Sequence, residues 1–291
     1  MLKKTLSVLL STLLCCSLVV AVFAAEGNSD VSPEPVTEAV TEEVPQEPVS
    51  FYINRQPVYN AERCMIGGYT YVSVAALFNA ALAECNITTK DGQLIITGTT
   101  AAGESLTVTT RYGDPYLIAN GRYLYVANKI RYSNGWTMAP ILVLASIFNG
   151  NAYWSSAKEC YATLHDTLIE SGETFYDAEQ LDLLSRLIYS ESGNQPLKGK
   201  IAVGNVIMNR VENKQFPNNI HDVIYAKNQF CVVRNGSINL TPNDESVVAA
   251  KLTLEGVRVT TALYFNRSGL NSWASRNCTH VATIGNHDFF A

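Results

Sequence analysis

Residues 183–211, LLSRLIYSESGNQPLKGKIAVGNVIMNRV, predict two helices joined by a short turn. Asp177, with Gln180 three positions later, is typical of a helix N-cap with its capping-box partner. Apolar residues then recur at helical spacing, at Leu181, Leu184, Leu187 and Ile188. Gly193 offers a break, and Pro196 suits the first turn of a second helix.

One acidic residue, Glu191, stands near the end of this apolar stripe. On a helical wheel it lies within roughly 20° of Leu184 and 40° of Leu187. Desolvation there would raise the pKa of the carboxyl group and keep part of it protonated near neutral pH, as a general acid requires. We interpret Glu191 as a candidate catalytic acid, and a surface glutamate at a frayed helix end is the alternative.

The N-terminus has the features of a secretory signal. Lys3 and Lys4 precede an apolar run over residues 6–23, and Ala24 and Ala25 supply small residues for cleavage, so residues 1–25 are predicted to be a signal peptide. An uncleaved membrane anchor is the alternative. Residues 26–50 contain seven acidic residues and four prolines, a composition that predicts a disordered linker. The protein is therefore expected to be secreted and to work outside the cytoplasmic membrane.

Charge and cysteine content limit the partners. Residues 51–291 contain 19 acidic and 19 basic residues, and this balance argues against a nucleic-acid partner. Five cysteines lie outside the signal, namely Cys64, Cys85, Cys160, Cys231 and Cys278. In an exported protein Cys231 and Cys278 are a candidate disulfide pair, while packing as free thiols is an equal alternative.

The stretch 51–166 predicts a small α+β domain. Strand-like runs at residues 52–54, 56–58, 94–96, 106–108, 117–118 and 123–126 are separated by turn residues such as Asp91-Gly92, Gly113-Asp114 and Asn120-Gly121. Gly68-Tyr69-Thr70 before a helical run at 74–83 repeats, at an offset of 67, as Gly135-Trp136-Thr137 before a run at 141–150. This pattern resembles the copper amine oxidase N-terminal-like stalk domain, which carries no copper chemistry.

The stretch 174–291 resembles the catalytic domain of the SleB/CwlJ-type cell wall hydrolases, enzymes of spore cortex and peptidoglycan breakdown. The resemblance rests on motifs in the family's order: Ser185-Arg186-Leu187-Ile188-Tyr189-Ser190-Glu191, Gly199-Lys200-Ile201-Ala202-Val203, Asn209-Arg210-Val211, Phe216-Pro217-Asn218, Gln229-Phe230, Tyr264-Phe265-Asn266 and Ile284-Gly285-Asn286-His287-Asp288-Phe289. It implies a mainly helical, lysozyme-like domain, Glu191 as the catalytic residue, and no metal or other cofactor. The chain as a whole is then α+β.

Two departures from the family pattern bear on mechanism. Many relatives have a second glutamate where this chain has Gln195, which puts a two-carboxylate mechanism through this turn in doubt. The nearest other acids, Asp182 and Glu212, could still fold into the cleft. The stretch 230–241 also lacks the family's tryptophan-rich signature and has Cys231 and Arg234 instead.

Three pairs of neighbours are candidate substrate-binding residues: Gln229 with Phe230, Tyr264 with Asn266, and Asn286 with His287. An amide beside an aromatic ring suits a sugar face and its N-acetyl group. An ordinary core with a satisfied amide, or a turn that fastens the C-terminus, is the alternative.

We therefore predict a secreted enzyme that cleaves peptidoglycan glycan strands beside N-acetylmuramic acid, with Glu191 as acid and then base in a lytic transglycosylase reaction. Hydrolysis is the alternative outcome at the same bond. A zinc-dependent N-acetylmuramoyl-L-alanine amidase would need three of the histidines His165, His221, His280 and His287 to converge. A cysteine peptidase using Cys231 or Cys278 with His287, and a non-catalytic wall-binding protein, are the remaining alternatives.

Overall fold

The computed structural model describes residues 49–155 and 157–291, which all fall within one compact unit. The predicted signal peptide, and the predicted linker up to residue 48, lie outside the described residues. In the part of the chain that is described, no helix has both the length and the apolar content needed to cross a bilayer.

The N-terminal part is built mainly from short strands. Its elements are β1 (Phe51–Ile53), β2 (Gln56–Val58), β3 (Arg63–Ile66), β4 (Tyr69–Ser73), α1 (Val74–Ala81), β5 (Glu84–Lys90), β6 (Gln93–Thr99), β7 (Ser105–Arg111), β8 (Tyr116–Ala119), β9 (Arg122–Tyr125), β10 (Arg131–Ser133), β11 (Trp136–Pro140), α2 (Ile141–Ser146), β12 (Asn151–Trp154) and β13 (Cys160–Thr163). They form three sheets, in the orders β12-β13-β1-β2, β10-β11-β4-β3 and β5-β6-β7-β8-β9. The strand-like runs predicted in this region are confirmed. The turns at Asp91-Gly92 and Asn120-Gly121 have positive φ at both residues, as tight hairpins require.

The repeat found in the sequence is also present in the structure. Each copy is a strand followed directly by a helix, β4 with α1 and β11 with α2. The two strands pair antiparallel, with Val72 opposite Ala139, which are equivalent positions of the repeat. The two copies therefore face each other across the middle of one sheet.

The C-terminal part is mainly helical. Its elements are α3 (Gly172–Phe175), α4 (Ala178–Ser192), α5 (Leu197–Glu212), α6 (Ile220–Tyr225), α7 (Cys231–Arg234), a 3-10 turn (Ser237–Asn239), α8 (Asp244–Leu254), β14 (Tyr264–Arg267), α9 (Trp273–Asn277), β15 (His280–Ile284) and β16 (His287–Phe290). Helices α4, α5 and α8 pack against one another, and β14, β16 and β15 form a sheet in that order. The α+β class and the helical character of this part are confirmed.

Buried apolar side chains form two clusters. The members of the first lie between Phe51 and Leu164 in the chain, and those of the second lie between Leu184 and Phe289. Leu184, Leu187 and Ile188 of α4 are fully buried in the second cluster, as their spacing predicted. Two cores are compatible with separate domains over residues 51–166 and 174–291, and those boundaries stay a prediction.

A nearly buried ion pair joins the two parts. Arg122, at the start of β9, donates hydrogen bonds of 2.7 and 2.8 Å to the carboxylate of Glu255, which follows α8. The side chains of Arg122 and Glu255 are only 13% and 7% exposed. The Tyr176 hydroxyl also donates a hydrogen bond to Glu255. The oxygen of the same hydroxyl accepts a hydrogen bond from the Tyr123 backbone amide. This polar network fixes the five-stranded sheet against α8.

The candidate disulfide between Cys231 and Cys278 is absent. All five cysteines of the described residues are free thiols, with Cys160 buried and Cys231 exposed. Cys231 opens the short helix α7, whereas Cys278 caps the end of α9, so the two thiols belong to different helices. The free-thiol alternative is the one that the structure supports.

Glu255→Gln is expected to lower the free energy of unfolding by about 3 kcal/mol, because it leaves the guanidinium of Arg122 buried without a counter-charge. Glu212→Gln is the matched control. The Glu212 side chain is 60% exposed and pairs with Arg258, and exposed pairs of this kind contribute about 1 kcal/mol or less. Chemical denaturation of both variants measures the difference, and equal losses would contradict the buried role of the Arg122–Glu255 pair.

Candidate active site

Glu191 lies in the last turn of α4, where the local sequence makes the helix end. Asp177 caps the start by accepting a hydrogen bond of 2.9 Å from the Gln180 amide, as its position in the sequence predicted. The helix ends at Ser192 because Pro196 has no amide hydrogen to donate and disfavours helical conformation at the residue before it. Gly193 itself keeps a helical backbone conformation. Glu191 is thus held on a regular helix and not on a loose end.

The environment of Glu191 favours a protonated carboxyl group. The side chain is half-buried, and burial raises the pKa of Glu191 above its usual value. Desolvation is the one cause of this shift, with no contribution from a charged or hydrogen-bonding neighbour among the described residues. This is the electrostatic condition that the sequence predicted for a general acid.

Gln195 has a structural role next to this helix. It is 6% exposed, and its Oε1 accepts a hydrogen bond of 2.7 Å from the Asn286 amide. Gly285 packs so closely on this side chain that a Cβ there would lie 2.3 Å from Oε1. The Gly285 backbone also has φ +59°, which glycine adopts without strain. Gln195 therefore fastens the turn between β15 and β16 to the turn that follows Glu191.

His287 and Asn286 follow that turn. The ring of His287 meets Phe265 edge-on at 5.4 Å, and its Nδ1 is buried without a hydrogen-bond partner in the described part of the chain. Burial lowers the pKa of His287, so its neutral form is favoured. The Asn286 side chain is exposed, while its backbone amide is used by Gln195.

A buried arginine that the sequence reasoning did not single out gathers three other predicted residues. Arg210 is 5% exposed and donates to Gln229 Oε1 at 3.1 Å. Its guanidinium also lies 5.2 Å from the ring centre of Phe230 and 5.3 Å from that of Tyr264. Burial lowers the pKa of Arg210 to about 10. The aromatic faces partly compensate this cation.

The sequence contains a pattern from which the burial of Arg210 could have been predicted. Val203, Val206, Ile207 and Arg210 follow the spacing of one buried helix face, and all four are buried in α5. A charged residue on such a face needs partners that only the fold can supply. The guanidinium Nε donates to the Leu263 carbonyl at 2.7 Å, so Arg210 positions the start of β14 as well as Gln229.

The side chain of the remaining predicted residue, Asn266, forms hydrogen bonds with residues close to it in the chain. Its Oδ1 accepts a hydrogen bond of 2.5 Å from the Ser272 hydroxyl, and its amide donates to the Arg267 carbonyl. Ser272 is also the N-cap of α9, which carries the 57% exposed Trp273 against the ring of Tyr264. Asn266 thus helps to position Trp273, an exposed aromatic residue that was not among the predicted site residues.

Asp182 and Glu212, the two acids considered as a second carboxylate, each form an ion pair with an arginine. Asp182 accepts a hydrogen bond of 2.6 Å from Arg186, one turn along α4, and its rise along the helix places it about 13 Å from Glu191. Glu212, at the far end of α5, pairs with Arg258 at 2.8 Å. Asp288 accepts hydrogen bonds from Ser268, Gly269 and Thr283, which hold its pKa low.

In the part of the chain that the structure describes, the histidines and cysteines are not gathered in one place. Among the described residues, no group of three or more histidine, cysteine, aspartate or glutamate side chains could hold a metal ion. His221 stacks on Tyr225 at 4.6 Å and contacts Asp222, while His280 contacts Thr283. These contacts place the two histidines in separate polar clusters.

Comparison with known families bears on both halves of the chain. Residues 194–290 match the family model of the cell wall hydrolases, and residues 52–162 match that of the copper amine oxidase N-terminal domain. The C-terminal part of the chain is thus similar to the cell wall hydrolases. Both resemblances predicted from the sequence are confirmed. The match to the hydrolase model begins just after Glu191, so the role of that residue is not covered by it.

Curated relatives match the same half. The spore cortex-lytic enzyme of Bacillus cereus is 33% identical over 116 residues, which are 39% of this chain and 45% of that protein. The spore cortex-lytic enzyme of Bacillus subtilis is 28% identical over 39% of this chain and 38% of its own length. The chain therefore spans less than half of the curated relatives that it matches.

One solved structure of similar sequence is the catalytic domain of the Bacillus cereus SleB protein. It is 31% identical, and the alignment covers 42% of this chain and all of that one, with a TM-score of 0.38.

Gln195→Leu is expected to destabilise the β15–β16 turn by about 1 kcal/mol, because the Asn286 amide would lose the acceptor of a part-buried hydrogen bond. Gln195→Glu keeps an oxygen at the same place and serves as the matched control. Hydrogen exchange at the Asn286 amide reports the effect directly. Unchanged protection in Gln195→Leu would show that the hydrogen bond does not hold this turn.

Proposed function

We propose that this protein is an exported enzyme that cleaves the glycan strands of peptidoglycan beside N-acetylmuramic acid, with Glu191 as its catalytic residue. The supporting observation is the desolvated carboxyl group of Glu191 at the end of α4, whose pKa is raised by burial. The similarity of residues 194–290 to the cell wall hydrolases supports the choice of substrate. The predicted signal peptide supports action outside the cytoplasmic membrane, in the cell wall or spore envelope.

In the proposed first step, the protonated carboxyl of Glu191 donates its proton to the glycosidic oxygen as the bond to C1 of muramic acid breaks. The leaving sugar then carries a hydroxyl group, and positive charge develops at C1 and the ring oxygen. A half-buried acid with a raised pKa suits this step because it is still protonated at a pH where an exposed glutamate is ionised.

The second step would close the product on itself. The 6-hydroxyl of the same muramic acid attacks C1, and the carboxylate of Glu191 takes the hydroxyl proton, so that an anhydro bond forms and Glu191 is again protonated. This route needs one carboxylate only. It is supported by the ion pairs that occupy Asp182 and Glu212 and by the structural role of Gln195.

The substrate would lie along the aromatic residues of the C-terminal sheet. Tyr264 and the exposed Trp273 offer ring faces to a sugar, and Gln229 and Asn286 offer exposed amides. Asn286 lies at the opposite end of β14 from Tyr264, so the sugar chain would follow the length of this strand. Phe230 and His287 both contact the ring of Phe265, which follows Tyr264 in the strand. We assign Gln229, Tyr264, Trp273 and Asn286 as the direct sugar contacts in this proposal.

Glu191→Gln should lower the rate of peptidoglycan lysis by on the order of 10² to 10⁴, because the amide keeps the shape but cannot transfer the proton. Glu179→Gln, an exposed position in the first turn of the same helix, is the control and should keep wild-type activity. Loss of turbidity of purified peptidoglycan measures both. Activity of Glu191→Gln within threefold of wild type would sink the assignment, and an inactive wild type would favour a wall-binding role.

Product mass distinguishes transglycosylation from hydrolysis. If the muramic 6-hydroxyl is the nucleophile, the released muropeptides should end in 1,6-anhydro sugars, each lighter than the hydrolysis product by one water. Mass spectrometry of the digest separates the outcomes. Reducing-end muramic acid would show that water is the nucleophile, and free stem peptides would show an amidase.

Lysis should continue in the presence of EDTA, because the proposed chemistry uses only the carboxyl group of Glu191. The measurement is the lysis rate of the full-length protein before and after chelation, with zinc added back in a parallel sample. Loss of activity with EDTA and recovery with zinc would support the amidase in place of the glycan-cleaving enzyme.

A further inference from the structure

A cavity of about 720 Å³ lies where the N-terminal and C-terminal parts of the molecule meet, and the reaction proposed above does not use it. Its lining includes Asp114, Tyr116, Tyr125 and Lys129 from the first part and Pro196 and Asp244 from the second. The volume is within the range of about 300–1,000 Å³ that is usual for small-ligand sites.

The walls of this junction cavity are held in place without a ligand. Lys200 is 1% exposed and forms an ion pair with Glu245, which also lines the cavity. The Arg122–Glu255 pair joins the sheet that carries Tyr116 and Tyr125 to the end of α8. One nearly buried ion pair, Arg122–Glu255, and a second pair in which only Lys200 is buried thus stabilise the walls of the cavity.

The lining carries charges of both signs. Lys129 is close enough to Asp114 for their charges to interact. Both residues lie in the wall of the cavity that the N-terminal part forms. Asp244 faces them from the first turn of α8. The charge of Glu245 is already matched by Lys200. Lys198, Lys129 and Asp244 are exposed to solvent in this lining, so their charges are free to meet a ligand. A neutral glycan has no charge to pair with them, whereas a short peptide with free amine and carboxylate groups has charges of both signs.

The junction cavity is also near Glu191. Pro196 lines it and lies five residues after Glu191, so the two are at most about 18 Å apart along the chain. In peptidoglycan the stem peptide branches from muramic acid, the sugar at the proposed cleavage point. An extended peptide of four residues spans about 13 Å, so a stem peptide reaches over most of this upper limit.

We propose that the junction cavity binds the stem peptide carried by the muramic acid next to the cleaved bond. Lys129 binds a peptide carboxylate, Asp114 and Asp244 bind the free amine, and Tyr116 and Tyr125 pack against the peptide backbone. The choice of peptide rests on the proposed function, since it takes peptidoglycan as the substrate. The N-terminal domain then contributes directly to substrate selection.

The test is direct binding of a synthetic stem tetrapeptide, N-acetyl-L-alanyl-D-glutamyl-diaminopimelyl-D-alanine, to the full-length protein, measured by calorimetry. The N-terminus is acetylated because muramic acid acylates it in peptidoglycan, which leaves the amine of the diamino acid free. The cavity variant Lys129→Gln/Asp244→Asn should bind at least about 10-fold more weakly than wild type. The matched control Lys90→Gln/Asp91→Asn makes the same charge changes in the exposed turn between β5 and β6 and should bind like wild type. Acetylating the remaining free amine of the peptide should weaken binding to wild type in the same way.

Absence of tetrapeptide binding to wild type would overturn the proposal, and so would equal affinity of the cavity variant and wild type. Lys129→Gln alone is the second variant, because Lys129 lies outside the helices and strands and its replacement leaves α8 intact. The binding assay needs no turnover. Lysis of peptidoglycan without peptide binding would therefore refute the cavity proposal alone, and peptide binding without lysis would refute the proposed catalysis alone.

Discussion

The hydrogen bond from the Asn286 amide to Gln195 joins two segments that lie 91 residues apart in the chain. One segment carries Glu191 at the end of α4, and the other carries His287 and the aromatic residues of the C-terminal sheet. When the walls of a cleft come from distant segments of the chain, local unfolding opens the cleft unless a contact between the walls holds them together. Because Gln195 and Gly285 pack so closely, this contact also fixes the distance between the acid and the surface proposed to hold the sugar.

The sequence predicted those features that depend on neighbouring residues. The cap at Asp177, the apolar face of α4 and the end of that helix before Pro196 follow from local rules, and so does the raised pKa of Glu191. The roles of Gln195 and Arg210 were not predicted, because their partners Asn286 and Leu263 are far away in the chain. The C-terminal sheet was also not predicted, since its strands are short and contain polar residues such as Asn266 and Asp288.

The junction between the two parts of the molecule contains a polar network that is nearly buried. Arg122, Glu255 and Tyr176 satisfy one another there, and the aromatic ring of Phe175 lies 3.3 Å from the Arg122 guanidinium. Buried ion pairs tolerate little displacement, because separating the charges leaves each of them desolvated. The N-terminal part is accordingly held in a fixed position beside the C-terminal part.

The pairing of β4 with β11 has a consequence for the origin of the N-terminal domain. Val72 and Ala139, equivalent positions of the repeat, lie opposite each other, so the two copies are related by a local two-fold axis through the sheet. An edge that pairs with its own duplicate is self-complementary. A single copy would present the same edge to a second molecule and could form a symmetric dimer of the isologous type. Fusion of two such genes would turn an intermolecular sheet into an intramolecular one without altering its pairing.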